Sequence, residues 1–166
     1  MGEERDIPGV IAPPPLIAAG AVMLGLILDR IFPAYVLTVL LTFATRAVLG
    51  VVLMAAGGAL GLAAVRAFRR AGTHVEPWKP SSALVTDDIF RRLRNPMYVG
   101  AMLLLAGFAV LVASDWTLVM TIVFALIVHF GVVKREERYL EAKFGNAYRA
   151  YRARVPRYGW PPPGLR

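Results

Sequence analysis

"RRLRNPMYVGAMLLLAGFAVLVAS", residues 91–114, sets Arg91, Arg92 and Arg94 beside Asn95 and Pro96 and then runs apolar to Ala113. A spanning helix needs about 20 such residues, with roughly 17 to 25 tolerated. The following apolar run, residues 117–133, ends in "HFGVVKREERYL" (His129 to Leu140), a second dense cluster of charge. Between the two runs stands "SDW", in which Ser114 or Asp115 can cap the next helix. The stretch therefore reads as one arm of a tight apolar hairpin with charged clusters at its open ends.

The rest of the chain agrees with a membrane setting. Over 166 residues it is 57% hydrophobic and only 18% charged, with a mean hydropathy of +0.57. That is too apolar for an ordinary soluble domain. The expected class is all-α, a polytopic integral membrane protein with about four transmembrane helices and a cytoplasmic C-terminal amphipathic helix. Residues 16–32 give the first span, brought to an interface by Asp29 and Arg30. The apolar stretch 34–65 is too long for one straight span and carries Arg46. A charge is costly in mid-membrane but can snorkel from near an end, so Tyr35 to Thr45 reads as a short, partly inserted or interfacial segment and residues 47–68 as the second span. One long tilted helix is the alternative. We expect one integrated domain, with N-terminal helices over residues 1–71 and a catalytic core over 72–166.

Charge sets the topology. Of the 19 Lys and Arg, seven lie in residues 66–94 and nine from Lys134 onward, and basic loops stay in the cytoplasm. Four spans then place the N-terminus there as well. The net charge of +8 is accounted for by this asymmetry, so nucleic acid is not an expected partner. There is no cysteine, and His74 and His129 each stand without a second ligand at metal spacing, so no metal site is expected. "MGEERDIPG" at the N-terminus is acidic, unlike a cleaved signal, and has no Ser or Thr where myristoylation needs one.

Beyond Lys134, the residues Leu140, Phe144, Tyr148, Tyr151 and Val155 recur at helical spacing and form one apolar face, so the helix should fold back on protein or lie on the membrane. Gly57 and Gly61 are at small-xxx-small spacing, which suits close packing inside this chain or a homodimer seam.

The charged mouth invites a ligand. Pro96 fits a first helical turn, Asn95 can cap it, and Tyr98 and Gly100 follow where free N–H groups and the positive dipole end favour an anion. Glu136 and Glu137 close the next span at the unfavourable dipole end and need cations, for which Lys134, Arg135, Arg138 and Arg91 to Arg94 are at hand. His129 lies seven residues before Glu136, about on the same face, and either packs or lines a pocket. A helix N-terminus, a carboxylate and an apolar wall would suit a zwitterionic nucleotide cofactor. A purely structural ion network is the other reading.

"SSALVTDDIFRRLRNPMYVG" followed by "HFGVVKREERYLEAKFGNAYRAYRARVPRY" resembles the isoprenylcysteine carboxyl methyltransferase family and the related membrane phospholipid N-methyltransferases. The apolar "IAPPPLIAAG" looks like bacterial members, which implies an inner membrane with the active site facing the cytoplasm. The resemblance implies a helical membrane enzyme that uses S-adenosylmethionine without a Rossmann fold. It carries cofactor positions onto Leu84, Val85, Phe90, Asn95, Pro96, Tyr98 and Glu136, with Glu137 joining them from the phospholipid relatives. Eukaryotic carboxyl methyltransferases have a substrate arginine about one turn before the glutamates, where this chain has Val132. A carboxylate acceptor would want a cation, Arg94 or Arg135; an amine or thiol would need a base, Glu137 or His129. The expected partner is a lipophilic or lipid substrate entering from the bilayer: an isoprenylcysteine-like carboxylate, a phospholipid amine or a small thiol. The competing class is a non-enzymatic membrane module that binds anionic lipid.

Overall fold

The computed structural model describes residues 6–159 and is helical, with no strand among those residues. Six helices follow in order: α1 (Pro14–Ile31), α2 (Val36–Leu40), α3 (Phe43–Arg70), α4 (Pro96–Val112), α5 (Asp115–Val128) and α6 (Lys134–Arg154). A 3-10 turn, Asp88–Arg91, precedes α4, and a π-turn, His129–Val133, carries α5 into α6. By length and composition α1, α3 and the α5 to α6 helix can cross a membrane, and α4 is a shorter apolar helix of 17 residues. The described chain divides into two compact units: residues 14–61 with 97–128, and residues 6–13, 62–96 and 129–159.

In the apolar unit, α1 begins at Pro14, whose missing N–H would be unpaired in a first turn. The long stretch after it is broken, as the short-segment reading expects. Tyr35 takes a left-handed conformation (φ 62°), α2 lasts five residues, and Leu41 is extended. Asp115 fixes the start of the short segment: its two carboxylate oxygens accept the Val36 and Leu37 N–H groups, each at 2.9 Å, and so cap α2. Ser114 is the residue that caps α5, accepting the Thr117 N–H at 3.1 Å. Its hydroxyl also donates to Asp29, which takes the Trp116 N–H at 3.2 Å. The second span begins earlier than expected, at Phe43, because Thr42 Oγ1 accepts the Thr45 N–H at 3.2 Å; Arg46 therefore falls in its first turn.

Glycines set the packing of α3 on α4. A Cβ on Gly57 would lie 2.5 Å from the Gly100 carbonyl oxygen, and one on Gly50 2.8 Å from that of Gly107. The two pairs are seven residues apart on each helix and run in opposite directions, so the helices are antiparallel with backbones in contact. The close packing within the chain that the Gly57–Gly61 spacing suggests is present, but Gly50 is the partner of Gly57 in it, since a Cβ on Gly61 would meet open space; Gly100 is buried at this contact. Gly25 likewise lets Thr117 of α5 touch the α1 backbone.

The polar unit corrects the expected single apolar face. Gly145 adopts φ 51°, ψ −123° and kinks α6, a conformation open to glycine and not to side-chain-bearing residues. Tyr148, Tyr151 and Val155 beyond it are buried, whereas Leu140 and Phe144 before it are only half-buried. Trp160 and Pro161 to Pro163 lie outside the described residues.

Replacing Gly57 by leucine should lower stability by about 1–3 kcal/mol through overpacking, read as a lower thermal midpoint in detergent. Gly58→Ala, which points a methyl into open space, should leave that midpoint unchanged.

Candidate functional site

The polar unit gathers the two charged clusters. Arg94 ends the loop before α4 and Glu137 lies in the first turn of α6; both are 9% exposed. Arg94 Nη1 meets Glu137 Oε1 at 2.8 Å. Arg157 closes on the same carboxylate from the other side, with Nε to Oε1 at 2.8 Å and Nη2 to Oε2 at 2.7 Å. The helix runs on from α5 through the π-turn into α6, so Glu137 does not stand at the helix end expected from the sequence; its burial is what demands such partners. Burial alone would push the Glu137 carboxyl up, but the Arg157 hydrogen bonds and the Arg94 and Arg157 charges outweigh it and hold it below the usual 4.5. It is an anion at neutral pH.

The same arginine sews the chain after α6 onto the mouth of α4. Arg94 Nη1 donates to the Tyr148 hydroxyl at 3.0 Å, Arg94 Nε to the Val155 carbonyl at 3.0 Å, and the Arg94 N–H to the Pro156 carbonyl at 3.0 Å. Asn95, expected as a cap, gives its side-chain amide to the Arg157 carbonyl at 3.2 Å. Tyr151 donates to the Phe90 carbonyl at 2.8 Å, and Phe90 is buried with its ring edge-on to Phe68, centroids 5.1 Å apart. Burial pushes the phenols of Tyr148 and Tyr158 up to about 12, so both stay neutral donors or acceptors through the physiological range. His129 Nδ1 is 2.9 Å from the Tyr158 hydroxyl.

The remaining residues singled out in the sequence are divided between the two units. Leu84, Val85 and Glu136 are half-buried in the polar unit, and Pro96 is fully buried. Ser81, just before Leu84, donates its N–H to the Tyr139 hydroxyl at 3.0 Å, which ties the Leu84–Val85 segment to the turn of α6 that carries Glu136. Tyr98 and Gly100 belong to the apolar unit. Arg135 donates to the Gly9 carbonyl at 2.7 Å. Val132 is wholly buried and presents nothing to a ligand. The π-turn brings Gly131 under Ile11, where any Cβ would collide with the Ile11 side chain at 2.3 Å.

These residues suit a cofactor such as the one the resemblance implies: Leu84 and Val85 offer apolar contact, Asn95 a side-chain carbonyl oxygen, its amide nitrogen being given to Arg157, and Glu136 a carboxylate. Glu137 is engaged by two arginines, and Phe90 and Pro96 are inside the packing. Arg94 was a candidate cation for an acceptor; its guanidinium bonds Glu137, Tyr148 and the Val155 carbonyl. Arg157 had no assigned role; its only signal was its position in "VPRY".

The chain matches the family model described as phospholipid methyltransferase over residues 45–147. It is 34% identical over 62 residues to an uncharacterised protein of Haemophilus influenzae, a match covering 37% of this chain and 98% of that protein. It is 37% identical over 76 residues to the protein-S-isoprenylcysteine O-methyltransferase of Schizosaccharomyces pombe, covering 44% of this chain and 31% of the yeast enzyme. No solved structure matches the chain.

Removing one partner of a buried ion pair strands the other, so Arg94→Ala should cost about 3–5 kcal/mol, and Arg94→Met with Glu137→Leu together much less. Unfolding in detergent measures both. Because the Glu137 pKa is lower folded than unfolded, its contribution is complete above about 4.5 and is lost as pH falls through the folded value. The wild-type midpoint should therefore drop on that acid side, while a folded Glu137→Gln variant lacks this component.

Proposed function

This chain belongs to the phospholipid methyltransferase family, and on that premise we propose that it moves a methyl group from S-adenosylmethionine to a lipophilic acceptor. The acceptor is a carboxylate on an isoprenylcysteine-like thioether. The observation that carries the reading is the union of the Arg94–Asn95–Pro96 mouth with the Glu136–Glu137 turn, more than 40 residues apart in sequence, through the buried Arg94–Glu137 pair. Leu84, Val85, Asn95 and Glu136 would hold the cofactor. The sulfonium, when bound, supplies an already activated methyl group.

The protein's part is then to bind, to align the acceptor and to keep water out. A carboxylate needs no base, only a cation to seat it. With Arg94 committed, Arg135 is the candidate of the original pair, and it retains N–H groups beyond the one given to Gly9. The name of the yeast relative supports the carboxylate acceptor. The family description favours a second reading, a phospholipid amine. An amine would need a base, and a Glu137 carboxylate held ionised by two arginines is a poor one; His129, bonded to Tyr158, would take that role, as it would for a small thiol. The basic segments that flank the site support, by the positive-inside rule, a position at the cytoplasmic face of an inner membrane.

Calorimetric titration of S-adenosylhomocysteine into the detergent-purified chain tests the reading. Saturable binding is expected, weakened about tenfold or more, roughly 1.4 kcal/mol, in Glu136→Ala and in Asn95→Ala variants that keep their unfolding midpoints. A folded wild-type protein that binds neither S-adenosylmethionine nor its product would contradict it, and would favour the non-enzymatic lipid-binding module.

A further inference from the structure

On one flank of α6 lies a cavity of about 430 Å³ lined by Phe130, Lys134, Glu137, Arg138, Glu141 and Arg152. Its character follows from which charges are already matched. Glu137 is bound by Arg94 and Arg157, and Glu141 by Arg152 at 2.6 Å and Arg149 at 3.8 Å. Lys134 and Arg138 take part in no ion pair among the described residues; Arg138 Nε donates to the Lys134 carbonyl at 3.3 Å, and Lys134 Nζ sits 4.6 Å from the centre of the Phe130 ring. Residues 130, 134 and 138 recur every four positions through the π-turn and α6, so ring, ammonium and guanidinium line up along one side. Phe130 is 58% exposed at the end of the apolar run.

Three cations thus surround two carboxylates that are each already held by guanidinium groups. A sulfonium or an ammonium would find no unmatched anion there, whereas an anion would find two unmatched cations. The cavity shares only Glu137 with the residues implied for the cofactor, and its apolar surface is concentrated at Phe130. We propose that this cavity is the acceptor's anchoring site and that it takes an amphiphile bearing a phosphate or carboxylate, the charge against Lys134 and Arg138 and the apolar body against Phe130. The inference rests on the methyl-transfer reading for the word acceptor, and Glu137 becomes the wall between cofactor and acceptor. Because Arg135, the cation left to seat a reacting carboxylate, is not part of this lining, the anionic group held here is one beside the group that is methylated.

Native mass spectrometry of the full chain in a neutral detergent, titrated with dioleoyl phosphatidate, dioleoyl phosphatidylcholine and inorganic phosphate, reads the site directly. A cation beside an anionic head is worth about fivefold in affinity, so phosphatidate should bind at least about tenfold more tightly than phosphatidylcholine. That preference should vanish in Lys134→Gln/Arg138→Gln, two exposed positions whose change leaves folding intact. Phe130→Ala should weaken phosphatidate, and millimolar inorganic phosphate should not displace it. Equal binding of the two lipids, a preference that survives the double substitution, or displacement by free phosphate at concentrations matching the lipid would each overturn the proposal. The same samples titrated with S-adenosylhomocysteine separate the two readings. Cofactor-product binding without lipid preference overturns the cavity alone; lipid preference without it overturns methyl transfer and leaves an anionic-lipid site.

Discussion

The buried carboxylate of Glu137, shared between Arg94 and Arg157, is the interaction on which the polar unit depends. Arg94 comes from the loop before α4, Glu137 from the first turn of α6 and Arg157 from the chain after α6, so three separate segments meet at one anion. The desolvation of these groups is costly, and the structure offsets it with further hydrogen bonds from Arg94 to Tyr148 and to Val155. Once the trio is formed, the chain from Val155 to Arg157 is fixed against the mouth of α4 through backbone and side-chain bonds. Asn95, Leu84, Val85 and the Glu136 turn then belong to one unit, a precondition for any of them to share a ligand.

The apolar unit solves a different problem with different means. Helices in a bilayer gain little from burying apolar surface, so close backbone approach and a few polar bonds decide how they pack. Gly50 and Gly57 facing Gly107 and Gly100 supply the approach. Asp29, Ser114, Trp116 and Asp115 supply the polar bonds, among them the Trp116 Nε1 donation to the Phe32 carbonyl at 2.6 Å. Asp115 spends its carboxylate on the N-terminus of α2, a helix remote in sequence, which is why that short helix can exist at all.

The apolar spans and the meeting of the two charged clusters were legible because they follow from local patterns, run length and like charges that must find opposites; the cap of α5 was legible only as Ser114 or Asp115. The break between α2 and α3 was legible only as one of two readings: Thr42, which caps α3, is a local signal, but Asp115, which caps the start of α2, is distant in the chain. Two features escaped. Leu140 to Val155 keeps helical spacing straight through Gly145, so the kink could not be read from periodicity. Arg157 was indistinguishable from its basic neighbours; Lys134, Arg135, Arg138 and the arginines of the mouth were all equally available to two adjacent glutamates, and only the folded chain selects among them. That selection gives Arg94 and Arg157 to Glu137 and leaves Lys134 and Arg138 to face the cavity.

Amide hydrogen exchange on the Phe90–Pro96 segment, compared between wild type and Arg157→Gln, tests this account most directly. The Arg94 amide is bonded to the Pro156 carbonyl, so it should be strongly protected in the wild type. If the ion trio is what holds the C-terminal segment down, protection there should fall in the variant while the glycine-packed α3 and α4 core stays unchanged. Equal protection in both proteins would show that the segment is held without the trio, and the interaction placed at the centre of the structure would be a bystander.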